Sequence, residues 1–250
     1  MRVTPAVMVA AMVVFGTGLA EAQTDGPRVL LSVNLGLQPG SETIADAGVF
    51  TLYDEAGSLA VSGDASTGAL FDIGAAYRVA GRVTAGLSYQ RSSSANDWDV
   101  SGLAPHPLFF NQPRSFTATA PELERSESAF HFSVGYLLQA TDRLDLHIYG
   151  GPTVFGLSQQ VVSAVTVTEA NPQFTAVNVT PTVETHEENA WGAHLGFDAA
   201  YTVAANGSST FGLGAFLRYA AASADLPVVS GTVETDLGGY QFGAGVRFRF

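Results

Sequence analysis

The sequence contains no cysteine and no lysine, and charged residues make up only 14% of it. The chain can therefore form no disulfide bond, which is compatible with export because oxidising compartments permit disulfides without requiring them. All 11 basic residues are arginine, against 23 acidic residues, and the resulting net charge of −12 disfavours nucleic-acid binding. Outside the N-terminal segment no apolar run reaches about 18 residues, so the sequence predicts no membrane-spanning helix.

The N-terminal segment has the three parts of a secretory signal peptide. Arg2 precedes an apolar core, Ala6–Phe15, which is followed by the small-residue motif Ala20-Glu21-Ala22. We expect cleavage before Gln23, so that residues 1–22 are the signal peptide and residues 23–250 the mature domain. The alternative is an uncleaved anchor, which the short apolar core disfavours.

The last stretch of the chain, Leu237–Phe250, alternates strictly between two kinds of residue. One face carries aromatic and aliphatic side chains, and the other carries glycine, Gln241, Arg247 and Arg249. Successive side chains of a strand point to opposite faces. The segment is therefore either an amphipathic strand of a soluble sheet or a strand with one face towards lipid and the other towards a barrel lumen.

Seven earlier segments share this alternation, which favours the membrane interpretation. Each has about the 9–11 residues that a membrane-spanning strand requires. Together they predict an all-β fold, an eight-stranded antiparallel up-and-down transmembrane β-barrel. The segments are Val29–Leu37, Leu70–Val79, Val83–Gln90, Phe130–Leu138, Leu144–Val154, Trp191–Val203, Phe211–Tyr219 and Leu237–Phe250.

The connections between these segments alternate in length, as in outer-membrane barrels. Short turns are expected at residues 80–81, 140–143 and 204–209, and long loops at residues 38–69, 91–129, 155–190 and 220–236. This pattern predicts short periplasmic turns, long extracellular loops and two periplasmic termini. The long loops are acidic, and aromatic residues lie near both ends of the segments, as a lipid-interface girdle requires.

The C-terminal strand also resembles a known assembly signal. Bacterial outer-membrane barrels end on phenylalanine after alternating apolar residues, and the matching positions here are Tyr240, Phe242, Val246, Phe248 and Phe250. The mature chain as a whole resembles the small eight-stranded outer-membrane barrels of the OmpA/OmpX type. This resemblance implies a monomer in the outer membrane of a Gram-negative bacterium, in contact with lipid, lipopolysaccharide and the barrel-assembly machinery.

The predicted lumen face is rich in charge. An eight-stranded barrel has an interior just wide enough for side chains to fill it, and buried charges there must pair. We therefore expect a packed ionic plug that holds no metal or cofactor, with a narrow channel for small solutes as the alternative. The expected lumen residues are Asp72, Arg78, His131, Asp145, His147, His194, Asp198, Arg218, Arg247 and Arg249.

One group of residues could support catalysis instead. His131-Phe-Ser133, with Asp145 on the next strand, contains a nucleophile, a base and an orienting acid. It resembles the His-x-Ser element of outer-membrane lipid A deacylases, in which the acid is glutamate and the active residues face lipid. Because the alternation here turns His131 and Ser133 inwards, we expect a non-enzymatic protein without catalytic residues.

Two of the predicted outer loops alternate like strands. Val49–Tyr53 and Leu59–Ser62 flank a turn signal at Asp54–Gly57, and Val161–Thr168 and Phe174–Val183 flank another at Asn171-Pro172. These hairpins prolong the barrel strands beyond the bilayer. They could also bind an extracellular protein partner by strand addition at their exposed edges.

Overall fold

The computed structural model describes residues 28–40, 43–64, 66–170, 174–229 and 231–250. No helix in these ranges is long and apolar enough to cross a membrane. The described chain is built from antiparallel strands. They are β1 (Val29–Gln38), β2 (Thr43–Leu52), β3 (Glu55–Asp64), β4 (Gly68–Ala80), β5 (Val83–Ala104), β6 (Arg114–Gln139), β7 (Leu144–Glu169), β8 (Val177–Asn206), β9 (Ser209–Val228) and β10 (Gly231–Arg249).

Eight of these strands close into a ring. Following the hydrogen bonds from β1 leads through β4, β5, β6, β7, β8 and β9 to β10, which pairs with β1 from Leu30↔Arg249 to Leu37↔Phe242. Each ring strand pairs with the ring strands that precede and follow it along the chain. The predicted eight-stranded antiparallel up-and-down barrel is therefore confirmed. Each of the eight predicted segments lies within one of the eight ring strands, apart from Phe250, which follows β10.

The hairpin β2–β3 stands beside the ring rather than within it. β3 pairs with the outer part of β5, from Ser58↔Leu103 to Gly63↔Trp98, and β2 pairs with β3. The predicted hairpin is confirmed, but its turn is Tyr53-Asp54 and not Asp54–Gly57. Both turn residues have positive φ, 53° and 60°, as a two-residue type I′ turn requires. Gly57 belongs to β3, where the Phe50 ring packs over it.

The predicted long loops are largely strand. β6 and β7 each have 26 residues and β8 has 30, so the strands continue far beyond the predicted spans. The connections at this end shrink to residues 105–113, 170–176 and 229–230. The predicted extended run Val161–Thr168 is confirmed, since β7 and β8 pair there. The run predicted at Phe174–Val183 is confirmed only from Val177, where β8 begins, and Phe174 has a positive φ of 52°. The predicted turn at Asn171-Pro172 and the predicted signal peptide lie outside the described residues.

The half of the barrel that carries the short turns has an apolar exterior. Leu195 and Leu213 are 65% and 55% exposed and point away from the lumen. We call this apolar exterior the belt. Aromatic pairs border it on both sides: Tyr89 with Phe130 and Tyr219 with Tyr240 on the long-hairpin side, and Phe211 with Phe248 on the short-turn side. The last strand contributes exposed Tyr240, Phe242, Phe248 and Phe250 and half-buried Val246. An exposed apolar belt between aromatic rows is the exterior of a membrane-spanning barrel.

Beyond the belt, the chemistry of the two faces is reversed. On β7 the inward side changes from Thr153 to Phe155 and Leu157, and the outward side changes from Val154 to Ser158. The outer part of the barrel therefore has an apolar core of its own, like a soluble protein. We call this part the tower; it consists of β2, β3 and residues 94–126, 155–170, 174–190, 220–229 and 231–237. Its core includes Leu59, Val61, Trp98, Val100, Phe116, Leu123, Phe155, Leu157, Val161, Leu226 and Leu237.

Candidate functional site

Arg218 lies at the centre of the lumen and is only 1% exposed. It is carried inwards by β9, and its guanidinium contacts side chains of three other strands. Nη1 donates to Asp72 Oδ2 at 3.0 Å, Nε donates to Gln241 Oε1 at 2.7 Å, and Nη2 donates to Gln90 Oε1 at 2.5 Å. The buried charge is therefore both paired and hydrogen-bonded, which is the condition for keeping it in a poorly hydrated interior.

Three glutamines complete a layer across the lumen at this level. Gln90 Nε2 and Gln241 Nε2 both donate to Gln38 Oε1 at 3.0 Å, and Gln38 Nε2 donates to Glu127 Oε2 at 2.8 Å. Gln90 and Gln241 are fully buried. The sequence places Gln241 on the polar face of its strand, but nothing local marks the three glutamines as partners of a buried charge. The register contains the missing signal, because Gln241 pairs with Arg218 and Gln90 pairs with Asp72.

On the short-turn side of this layer lie two further ion pairs. Arg247 binds Asp198 and also donates from Nη1 to Asn34 Oδ1 at 2.6 Å. Asn34 Nδ2 in turn donates to Asp72 Oδ1 at 2.8 Å, which connects this pair to Arg218. Arg249 binds Asp145. The predicted lumen aspartates thus each face one arginine. Arg78 is half-buried, and its Nε has no partner among the described residues.

The lumen histidines lie beside this layer, and His131 is joined to it through Gln90. Hydrogen bonds join Thr153 Oγ1 to His131 Nδ1 at 2.8 Å and to His194 Nδ1 at 2.9 Å. His131 Nε2 contacts Gln90 Oε1 at 3.1 Å, whereas His194 Nε2 has no partner in the described part of the chain. His147 Nε2 contacts Thr84 Oγ1 at 2.8 Å. No group of three or more histidine, aspartate or glutamate residues within the described ranges could hold a metal ion.

The group considered for catalysis is not arranged as a triad. Thr153 and Gln90 occupy both ring nitrogens of His131. The Asp145 carboxylate is engaged by Arg249. A nucleophile, base and acid must be joined by consecutive hydrogen bonds, and here those bonds lead to other partners.

Arg218, Gln38, Gln90 and Gln241 form the layer across the lumen that we call the seal. Open space lies on both sides of it. A polar cavity of about 80 Å³ lies on the short-turn side, lined by Ser32, Asp145, His147 and Arg247 among others, and has room for only a few water molecules. On the other side a pocket of about 330 Å³ lies in the wall between β1 and β10. The Arg125–Glu127 ion pair, 2.7 Å long, lines this pocket. The layer built on Arg218 lies between these two spaces, since Arg218 and Asp72 line the first and Gln38 lines the second.

A second polar cluster closes the far end of the tower. Arg114 donates to both Glu169 carboxylate oxygens, at 2.5 and 2.8 Å, and to the carbonyls of Pro105 and Phe174. Tyr53 donates its hydroxyl to Glu169 at 3.0 Å. The hydrogen bonds from Arg114 lower the pKa of Glu169 below its ordinary value. The cluster ties together the tips of β2–β3, β5–β6 and β7–β8, and no local pattern in the sequence indicates it.

No protein-family model matches the sequence, and no curated protein matches it either. Among solved structures, the chain is similar to the outer membrane protein OprG from Pseudomonas aeruginosa, with 8% identity and a TM-score of 0.44 over 90% of this chain and 96% of that chain. It is also similar to Neisserial surface protein A, with 11% identity and a TM-score of 0.43 over 89% and 96% of the two chains. For the outer membrane protease OmpT from Escherichia coli the values are 9%, 0.46, 92% and 99%. Likeness at this level transfers no residue role, and the barrel is assigned from the strand pairing of this chain itself.

Proposed function

We propose that this chain is a non-enzymatic outer-membrane barrel of the small eight-stranded, OmpA/OmpX-type group, which holds a rigid tower outside a Gram-negative cell for surface interaction. The observation that carries this proposal is the reversal of the two faces along single strands. Lipid is the solvent that suits the exposed apolar belt, and water is the solvent that suits the tower. Both termini then lie in the periplasm, because β1 and β10 have theirs at the short-turn end.

The partners in this proposal follow from the same division. The belt contacts membrane lipid, and its outer aromatic row lies at the level of lipopolysaccharide. The outward residues of the last strand, from Tyr240 to Phe250, are the surface that the barrel-assembly machinery would recognise. The tower, whose strands carry most of the acidic side chains, is the part available to an extracellular partner.

The sealed lumen supports a structural role over transport. A solute would have to displace Arg218 from three hydrogen bonds and break the contacts of Gln38 with Gln90 and Gln241. We therefore expect the refolded protein to show no steady single-channel current in planar bilayers. Arg218→Ala is expected to produce current, whereas Arg143→Ala, in an exposed turn, is the matched control that leaves the seal intact. Steady current through the unaltered protein would establish a channel instead.

The lipid-modifying alternative has its own test. Ser133→Ala should leave the acyl chains of lipid A unchanged when cells that express the variant and cells that express the unaltered protein are compared by mass spectrometry. Acyl-chain trimming that depends on Ser133 would identify an enzyme.

A further inference from the structure

The loop at the tip of the tower exposes three consecutive large apolar side chains. Residues 105–113 connect β5 to β6, and within this loop Leu108, Phe109 and Phe110 are 66%, 54% and 73% exposed. Most other large apolar residues of the tower pack into its core, and exceptions such as Val49, Leu103 and Val183 are single residues of different strands. An exposed apolar cluster on a protein surface is the usual mark of an interaction site.

The loop is held in this conformation. Arg114 Nη2 donates to the Pro105 carbonyl at 2.6 Å, and the backbone N–H of Asn111 donates to the Glu55 carboxylate at 3.2 Å. The His106 ring accepts the N–H of Leu108 at 3.1 Å and packs against Phe109 at 4.8 Å between ring centroids. Pro105, Pro107 and Pro113 restrict the backbone further. These contacts fix both ends of the loop in a conformation that exposes its apolar side chains.

The tip lies far from the membrane that holds the barrel. Tyr89 marks the outer edge of the belt on β5, and the strand runs from there to Ala104. At ~3.3 Å per residue and a strand tilt of about 40°, this stretch places the tip roughly 35–40 Å above the belt. The cluster therefore lies far outside its own bilayer, at the end of the tower that another surface would reach first.

The exposed area of the cluster and the negative charge of the tower limit what kind of partner can bind there. Three such side chains, exposed to this extent, offer roughly 350 Å² of apolar area. A stable protein interface needs about 800 Å² from each partner, so the cluster is too small for one. A second copy would also bring its own acidic tower close, and like charges repel. Insertion of a few apolar side chains into a lipid interface requires no such area.

We propose that Leu108, Phe109 and Phe110 are a membrane-insertion loop, which docks the tower onto a zwitterionic lipid bilayer opposite the cell's own outer membrane. The acidic tower disfavours anionic bilayers. A single loop of this size binds weakly and reversibly, as one acyl chain does, and many copies on one cell surface multiply its effect. This inference rests on the proposed function, which places the tower outside the cell.

The test uses the full chain in nanodiscs and phosphatidylcholine vesicles as the probe, with binding measured by flotation. Phe109→Ser combined with Phe110→Ser should weaken binding at least about tenfold. Val49→Ser is the matched control, because Val49 is 82% exposed on the side of the tower and should not affect binding. Equal binding by all three proteins, or no binding by the unaltered protein, would overturn the proposal.

A second measurement locates the inserted residues. Phe109→Trp fluorescence should be quenched by vesicles with brominated acyl chains, whereas Val49→Trp fluorescence should not. Stronger binding to anionic than to zwitterionic vesicles, or tip-dependent dimerisation without vesicle binding, would also refute the loop's assigned role. The protein could fail to bind vesicles and still be non-conducting, with its tower accessible from outside intact cells. In that case only this inference fails. A tower accessible only from the periplasm would defeat the proposed function itself.

Discussion

Replacing Arg218 with methionine is the most direct test of how the lumen is held together. The substitution keeps a long side chain but removes the positive charge and the donors to Asp72, Gln90 and Gln241. Asp72 is then a buried carboxylate whose remaining side-chain hydrogen bond within the described residues comes from Asn34. We expect Arg218→Met to destabilise the barrel.

The expected loss in the free energy of unfolding depends on how the Asp72 charge is compensated once Arg218 is gone. Breaking a buried ion pair by removing one partner costs about 3–5 kcal/mol, because the other charge remains uncompensated. Here the neighbouring polar cavity of about 80 Å³ can supply water to Asp72, so we expect the lower end, about 3 kcal/mol. Adding Asp72→Asn removes the stranded charge, and replacing both members of a buried pair is often close to neutral. The double variant should therefore recover most of the loss.

The assay is reversible urea unfolding in phospholipid vesicles, followed by the mobility shift between folded and unfolded barrels in electrophoresis. Arg143→Met, in an exposed turn, serves as the control and should stay within about 0.5 kcal/mol of the unaltered protein. If Arg218→Met is as stable as this control, or if the double variant is less stable than the single one, the account of the lumen is wrong.

Three other predictions test separate parts of the molecule. Leu213→Arg should cost about 2–4 kcal/mol in the same unfolding assay, because Leu213 faces lipid; unaltered stability would contradict the belt. The stabilisation from Glu169, whose pKa is lowered, is present above its ordinary pKa and lost as pH falls through the lowered value. The protection of amides at the tower tip, measured against their intrinsic exchange rate at each pH, should therefore fall in acid, and Glu169→Gln should abolish that dependence. Amides of β7 and β8 paired within Val161–Val183 should exchange slowly, and exchange at the rate of an unstructured peptide would refute the rigid tower.

The belt half of the barrel was predictable because lipid imposes a rule that a single sequence displays. Outward residues such as Phe242 and Leu213 must be apolar, and inward residues such as Arg247 must be polar or small. The alternation therefore has a strong contrast over each span. Turn lengths then fix the order of the strands. All eight ring strands follow from these two signals without any knowledge of tertiary contacts.

The seal was not predictable in the same way, because its members meet only through the register between strands. Gln38, Gln90 and Gln241 lie on three different strands, and nothing local marks them as partners of Arg218. The tower was only half predicted for a related reason. Inward Phe155 and Leu157 alternate with Gly156 and Ser158, a weaker contrast than the belt shows, and many acidic residues gave the rest the composition of loops.

The position of the seal follows from the point where β1 leaves the barrel. The β1–β10 ladder ends at Leu37↔Phe242, and immediately beyond it the wall pocket opens beside Gly238 and Gly239, whose φ angles are 90° and 87°. Any seal on the tower side of this opening would leave the polar cavity connected to the pocket. Gln38 is the last residue of β1, and it accepts hydrogen bonds from Gln90 and Gln241. Gln38 directly follows the last β1–β10 pair and also closes the lumen. The seal therefore lies where β1 and β10 last complete the ring of strands.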